Sequence, residues 1–410
     1  MRSPFKDLPR EISVLVAASF FVAVGFGIVL PAIPVFARSF GVSNAAIGLI
    51  ISIFAITRFV SGLISGKLVD LFGERAVFSS GVFMVAISVF LAGLSTSYEQ
   101  LLFFRAAGGL GSMMFSVAAG SVVMRSVDDT NRGRALAVYN GSYLVGGVSG
   151  PAIGGLLSLI SLRAPFFAYA ITLLISGTVA HFFLKGEKID KGEKDADTGE
   201  HTTVREAFAM KPYRIALALS FIVSWVIFGL RTSILPIFVI EELNATTAIV
   251  GYGFTLAAIF QGALLLRGGR LSDSKGRRVA SVIGTVIGLI GMIVLTTAVN
   301  SWMYLLAMAI IGVGGAFLST TPASLVGDII RGRGGQVIAG STMASDAGLI
   351  VGPIIVGALA DIYSYRTAFV VSTAVFAIAA LLATQIPETR AKYLSGDSKK
   401  PQVNNLRLFD

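Results

Sequence analysis

Four ionisable residues stand deep inside otherwise apolar runs: Arg58, Arg105, Arg231 and Asp346. A charge at the centre of a bilayer costs about 2.5–3.5 kcal/mol on insertion scales, so each must face a cavity or a partner. Asp346 is the one carboxylate among them, and a carboxylate so placed is a group that can take up and release a proton. Other ionisable residues gather where apolar runs end. "GKLVDLFGER" at 66–75 sets Asp70, Glu74 and Arg75 between two apolar stretches, and "GRLSDSKGRR" at 269–278 repeats the pattern with Asp273, Arg277 and Arg278. The count Cys 0 removes disulfides, thiolate metal sites and cysteine nucleophiles. With His 2, namely His181 near a helix end and His201 in a polar stretch, no histidine cluster is available, and no metal or cofactor is expected. There are no deep paired carboxylates and no Ser-His arrangement, so the sequence does not read as an enzyme.

The elements that carry these residues follow from composition. The 410 residues are 54% hydrophobic and only 14% charged, against about 25% charged in soluble domains. The main solvent is lipid. Twelve apolar runs reach spanning length: 12–36, 45–69, 76–95, 99–124, 134–159, 165–184, 214–240, 247–267, 279–299, 301–327, 335–360 and 366–386. The first is too long for a signal-peptide core and reads as a retained helix. The net charge of +10 is a topology signal, not a nucleic-acid footprint. With the N-terminus in the cytoplasm, only Arg38, Arg163 and Arg366 fall on the opposite face, and Arg58, Arg105 and Arg231 lie within helices. Every other Lys and Arg then lies on the cytoplasmic side, which places both termini there.

Residues 185–213 are charged and cannot cross a membrane, so they divide the spans six and six. The halves repeat. "GIVLPAIPVF" (27–36) matches "GLRTSILPIF" (229–238), "GKLVDLFGERAV" (66–77) matches "GRLSDSKGRRVA" (269–280), and "GGVSGPAIGG" (146–155) matches "GLIVGPIIVG" (348–357), all at an offset of 202 or 203. The expected fold is therefore an all-α membrane protein of two pseudo-symmetric six-helix bundles: residues 1–184, a cytoplasmic linker at 185–213, residues 214–390, and a cytoplasmic tail at 391–410. Such architectures bind substrate near mid-membrane between the halves.

At its motifs the chain resembles the major facilitator superfamily, over nearly its whole length. The signature between the second and third helices appears as Gly66, Leu68, Asp70, Gly73 and Arg75, with a closer copy at Gly269, Leu271, Asp273, Gly276, Arg277 and Arg278. The fourth-helix signature appears as Arg105, Gly109 and Gly111, with Gly108 where glutamine is common. The fifth-helix signature is intact as Gly146, Gly150, Pro151, Gly154 and Gly155. That last motif, with "GFGIVLPAIPVF" in the first helix, resembles the drug:proton antiporters and implies proton-driven multidrug efflux across a prokaryotic inner membrane. The implied partners are a small-molecule substrate, protons and the lipid bilayer, for a chain expected to act as a monomer. Two alternatives stay open: an exporter or importer of one metabolite (a sugar, amino acid or lipid), and a transporter-like membrane sensor that no longer cycles.

The resemblance assigns roles residue by residue. Asp70 is expected to face the cytoplasmic start of the eleventh helix near Gly335, and Asp273 that of the fifth near Arg134, each closing the cytoplasmic side. Glu74 stands where relatives carry a basic residue, and Arg125 where they often carry an acidic one, which suggests a swapped ion pair. Arg58 lies about 18 Å and Asp346 about 16 Å from the cytoplasmic surface at 1.5 Å per residue. Because the second and eleventh helices are neighbours across the halves in this fold, these two are expected to meet and couple transport to protonation, with Arg105 in its family role. Arg231 aligns with Val29 and is offered as an attractor of an anionic substrate group. Phe20, Phe26, Met113, Met114, Phe115, Trp225, Phe228 and Phe317 are expected to give the cavity a soft apolar wall, with Tyr139, Asn140, Tyr143 and Gln261 adding hydrogen bonds. The glycine and proline of the fifth helix are expected to bend it and to pack it against the eighth.

Overall fold

Each apolar run becomes a helix because a backbone in lipid has no water to bond and must satisfy its own polar groups. The structure, a computed structural model, describes residues 9–127, 129–184, 202–319, 321–329 and 335–387. Its helices include 12 long and apolar enough to cross a membrane, and the protein is a multi-pass membrane protein. They are α1 (Arg10–Arg38), α2 (Asn44–Phe72), α3 (Glu74–Leu94), α4 (Tyr98–Ser126), α5 (Asp129–Ile160) and α6 (Ala164–Phe183) in one half. The other half holds α7 (Lys211–Glu241), α8 (Thr247–Lys275), α9 (Arg277–Thr296), α10 (Ser301–Leu318), α11 (Gly335–Ile362) and α12 (Tyr365–Thr384).

Starts and stops are written locally. Ser43, Ser97, Asn300 and Ser364 each accept a backbone N–H from the first turn of α2, α4, α10 and α12, satisfying donors the helix cannot. Gly73 (φ 80°) joins α2 to α3, and Gly276 (φ 99°) joins α8 to α9. At both joints a single residue must take a positive φ that side chains disfavour. Some boundaries differ from the sequence reading. Helix α5 begins at Asp129 rather than 134. Helix α7 begins at Lys211, inside the stretch read as linker, because Pro212 suits a first turn. A short helix, Val204–Ala209, precedes it, closed by a capping box of Thr203 and Glu206. Residues 185–201 and the tail at 391–410 lie outside the described residues.

Within the first half α1 packs on α5 and α6, α4 on α2 and α3, and α3 on α6; in the second, α10 packs on α8 and α9, and α7 on α11. Small residues permit this in both. A Cβ on Gly81 would lie 2.7 Å from the Gly111 carbonyl oxygen, and one on Gly284 3.0 Å from that of Gly314; such close approach lets dispersion hold helices together where lipid removes the hydrophobic drive. Large apolar side chains such as Phe103, Ile160 and Trp302 are exposed on outer surfaces. The halves meet along two seams, α2 with α11 and α5 with α8. One end of the bundle carries the start of α1, the finish of α6 and the start of α7, and is called the linker end; the other is the far end.

Candidate functional site: the interface between the halves

The α2–α11 seam brings Arg58 and Asp346 to the same region. Arg58 Nη1 donates to Ser112 Oγ on α4, in its own half. Asp346 is partly buried on α11 and within electrostatic reach of Arg58. The expected ion pair is not made among the described residues: the guanidinium is turned to α4. On α5, Tyr139 and Tyr143 stack edge to face with centroids 5.4 Å apart and hydroxyls 3.4 Å apart, and both feel the Arg58 charge. A cation, a carboxylate and two phenols thus share one region, with groups enough to pass or hold a proton.

The other two deep cations are held inside their own halves. Arg105 is buried with its guanidinium 4.5 Å from the Phe54 ring centre, and Arg231 sits 5.5 Å from that of Phe254. Each Nε lacks a hydrogen-bond partner, so the ring quadrupole supplies part of what a carboxylate would. Arg231 borders a small cavity of about 20 Å³ shared with α9 and α10. It lies in a π-helical stretch, Trp225–Ile234, a geometry frequent at functional sites.

The expected apolar wall is divided. Trp225 is buried and donates to Ser372 Oγ on α12 at 3.3 Å, so it packs within the second half. Phe26 packs on Tyr169 and Phe115 on Phe78, both within the first half. Met113 lies against α2 beside Gly62, Gln261 beside Gly315, and Phe317 beside Gly268 and Gly284. Phe228 is partly buried; Asn140 lies on α5, and its side chain is outside what the structure describes. Phe20 lines an apolar groove of about 670 Å³ between α1 and α5, with Phe21, Gly141 and Val145.

The fifth-helix glycines mostly face their own half. A Cβ on Gly146 would lie 2.7 Å from Ala23 Cβ, one on Gly150 2.6 Å from Gly27 Cα, and one on Gly154 would strike the Ile28 carbonyl, all on α1. Only Gly155 turns to α8, where a Cβ would lie 2.7 Å from the Thr247 carbonyl oxygen. Helix α11 repeats the plan: Gly348 and Gly352 face α7, and Gly357 faces Asn44 and Ala45 of α2. The motif thus packs α5 on both sides, against α8 through Gly155 and the Pro151 carbonyl, which a Cβ on Gly251 would strike, and against α1 through its other glycines.

At the linker end the gate residues stay within their halves. Asp70 is exposed, and a Cβ on Gly66 or Gly269 would meet nothing within 4 Å. Arg277 bridges Asp273 at 2.8 Å and Asp328 at 3.2 Å, both in its own half, so Asp273 is engaged away from α5. Arg75 is partly buried and Arg278 exposed. Glu74 is fully buried beside Gly73; the side chains of Arg125 and Arg134, and the surroundings of Gly335, lie outside the described residues.

The far end carries what the sequence reading missed, a polar network across the halves. Arg38 Nε lies 2.8 Å from Glu241 Oε1, and the same guanidinium donates to the Val42 carbonyl (2.7 Å), Asn44 Oδ1 (2.7 Å) and Tyr365 Oη (2.8 Å). Tyr365 in turn donates to Glu241 Oε2 at 2.6 Å. Asp361 accepts the backbone N–H groups of Asn44 and Ala45, each at 2.8 Å, and Asn44 Nδ2 at 2.9 Å. Deeper along the seam Ser52 Oγ donates to the Ile350 carbonyl at 2.6 Å. Arg38 counted in the sequence only as an exception to the charge bias. That exception, with Glu241 closing the repeat-related seventh helix, was the available signal.

Two six-helix bundles joined along two seams, bridged by a polar network at one end and bearing ionisable residues within their spans, define a membrane transporter. The chain belongs to the Major Facilitator Superfamily, whose family model matches residues 15–234 and 216–406. Among curated proteins it is 26% identical over 374 residues to an uncharacterized MFS-type transporter of Methanocaldococcus jannaschii, covering 90% of this chain and 96% of that one. It is also 26% identical to Multidrug resistance protein 1 of Bacillus subtilis (92% and 96% covered) and to Multidrug resistance protein MdtG of Salmonella choleraesuis (89% and 92%). Among solved structures, a bacterial homolog of the human lysosomal transporter Spinster, inward-facing and unoccupied, superposes with a TM-score of 0.77 at 18% identity, covering 94% of this chain and 98% of that one.

Proposed function

We propose that this transporter is a proton-coupled exporter of small amphiphilic, drug-like molecules, working by alternating access in the cytoplasmic membrane of a prokaryote with its linker end in the cytoplasm. The observation that carries the coupling is Asp346, which lies far from either end of α11 and within electrostatic reach of Arg58. Protonation of Asp346 removes the attraction across the α2–α11 seam and lets the halves move; deprotonation restores it. The intact fifth-helix motif and the relatives named for multidrug resistance support export of varied substrates. The polar network across the halves at the far end supports an inward-facing state, the state named for the Spinster homolog. A second reading, transport of one anionic metabolite, draws on the excess of deep arginines over deep carboxylates.

The experiment is flux in proteoliposomes under an imposed pH gradient, with a panel of fluorescent amphiphiles of either charge. Asp346→Asn is expected to abolish gradient-driven flux while leaving binding, read by thermal shift, within about threefold. Full gradient-driven flux in that variant overturns the role of Asp346. Flux confined to one anion class selects the second reading.

A further inference from the structure

Helices α2 and α11 run antiparallel across the interface, so each end of the pair sets the start of one against the finish of the other. At the far end α2 starts and α11 finishes. There Asp361, in the last turn of α11, holds the N–H groups of Asn44 and Ala45 in the first turn of α2. Those N–H groups have no partner inside the helix, and the positive end of the helix dipole lies at the same place. At the linker end the roles exchange. Asp70 occupies the last turn of α2, and α11 starts at Gly335. Asp70 lies 26 residues beyond Asn44, and Asp361 the same 26 residues beyond Gly335. Each helix of the pair thus carries a carboxylate at the distance that reaches its partner's first turn, at opposite ends.

We propose that Asp361 is the far-end gating residue of the transport cycle: it caps α2 when the far end is closed, and it competes with Asp70, which caps α11 when the linker end is closed. Two rigid helices that rock about the seam between them close one end only by opening the other, so the two caps exclude each other. The present structure is the Asp361-capped state, and Asp70 is correspondingly exposed. Arg38, Tyr365 and Glu241 clamp the same end. Among the described residues the far-end carboxylate cap is confined to one seam. At the far end of the α5–α8 seam the polar contact is Thr247 Oγ1 to the Gly155 carbonyl at 3.2 Å, neutral and weaker.

This inference rests on the alternating-access reading, and the test separates the two. The chain has Cys 0, so cysteines introduced in pairs carry spin labels uniquely: Ser161→Cys with Thr297→Cys reports the far end, and Leu71→Cys with Ser274→Cys the linker end. Distances are measured in nanodiscs on the full chain. Asp361→Asn, nearly isosteric at an exposed position, is expected to shift the ratio of far-end-open to far-end-closed molecules by about tenfold, the effect of losing charge-assisted hydrogen bonds. The linker-end distance shortens as the far-end distance lengthens. Adding Asp70→Asn returns the ratio toward that of the parent, and Asp361→Glu retains most of the closed population. An unchanged ratio in Asp361→Asn, or lengthening at both ends together, overturns the proposal; so does failure of Asp70→Asn to oppose it. If the parent itself holds one distance at each end at both acidic and neutral bulk pH, alternating access fails instead. Should Asp361→Asn not accumulate, Asn44→Ala, which deletes one donor to Asp361 and the acceptor that Asn44 offers Arg38, is expected to give a shift of the same sign.

Discussion

Glu74 shows what one residue can disclose. A fully buried carboxylate is rare unless paired, and Glu74 is buried where α3 begins. Its position at the first helical turn suits its charge through the helix dipole. The family pattern calls for a basic residue there, and the departure at Arg125 is its complement. If the two form a swapped pair, Glu74→Arg and Arg125→Glu each leave a buried like-charge contact and cut transport strongly, by an amount comparable to the 3–5 kcal/mol of a broken buried pair. The double reversal Glu74→Arg/Arg125→Glu should then recover a substantial part of the flux. Equal loss in all three variants, measured as initial rates in the same proteoliposomes, would separate the two residues. Depth was readable for the deep charges because a helix advances by a constant rise. Rotation was not. The residue count set Arg58 and Asp346 at similar depth, yet the Arg58 guanidinium turns to Ser112, a choice fixed by local packing that leaves no trace in spacing.

At the scale of elements, the twelve spans were legible because lipid imposes a length and a composition on every crossing helix. The internal repeat fixed their grouping. The π-helical stretch at Trp225–Ile234 was not legible, since a change of hydrogen-bond register costs no characteristic residue. It reorients this part of α7, and Trp225, assigned to the cavity wall from its helix alone, is bonded to Ser372 on α12. The glycine motif of α5 was recognised, but its direction was not. Most of it presses α5 against α1, which yields a testable contrast within one helix. Gly150→Ala places a Cβ 2.6 Å from Gly27 Cα, and such overpacking costs about 1–3 kcal/mol. Gly141→Ala meets nothing within 4 Å, and alanine is favoured over glycine inside a helix by roughly 0.5–1 kcal/mol. Thermal unfolding in detergent should therefore show Tm lowered for Gly150→Ala and unchanged or raised for Gly141→Ala. Equal behaviour of the two would mean that the α1–α5 contact does not limit stability.

For the whole molecule, the distribution of basic residues bears on orientation, and its exceptions are informative. Each of the three far-end arginines is bound by the protein itself. Arg38 joins the inter-half network. Arg163 donates to the Ser95 carbonyl at 3.3 Å and lies over the Phe36 ring at 5.9 Å. Arg366 donates to the carbonyls of Thr296 at 2.9 Å and Ala298 at 3.1 Å. They tie helix ends and loops together, and so account for positive charge on the side where the topology rule disfavours it. With the linker end in the cytoplasm, as proposed, the other described basic residues outside the spans fall on the side that the rule favours. Because the chain has Cys 0, single cysteines at Thr297 and Ser274 test this in intact cells with a membrane-impermeant thiol reagent. Thr297→Cys at the far end should label from outside, and Ser274→Cys only after the cells are opened. The converse pattern would invert the orientation and turn the proposed exporter's closed end toward the cytoplasm. Neutralising Arg163 or Arg366 to glutamine should leave this labelling pattern intact and instead lower Tm, since their work is local: each loses hydrogen bonds from a charged donor to backbone carbonyls, about 1.5–3 kcal/mol apiece.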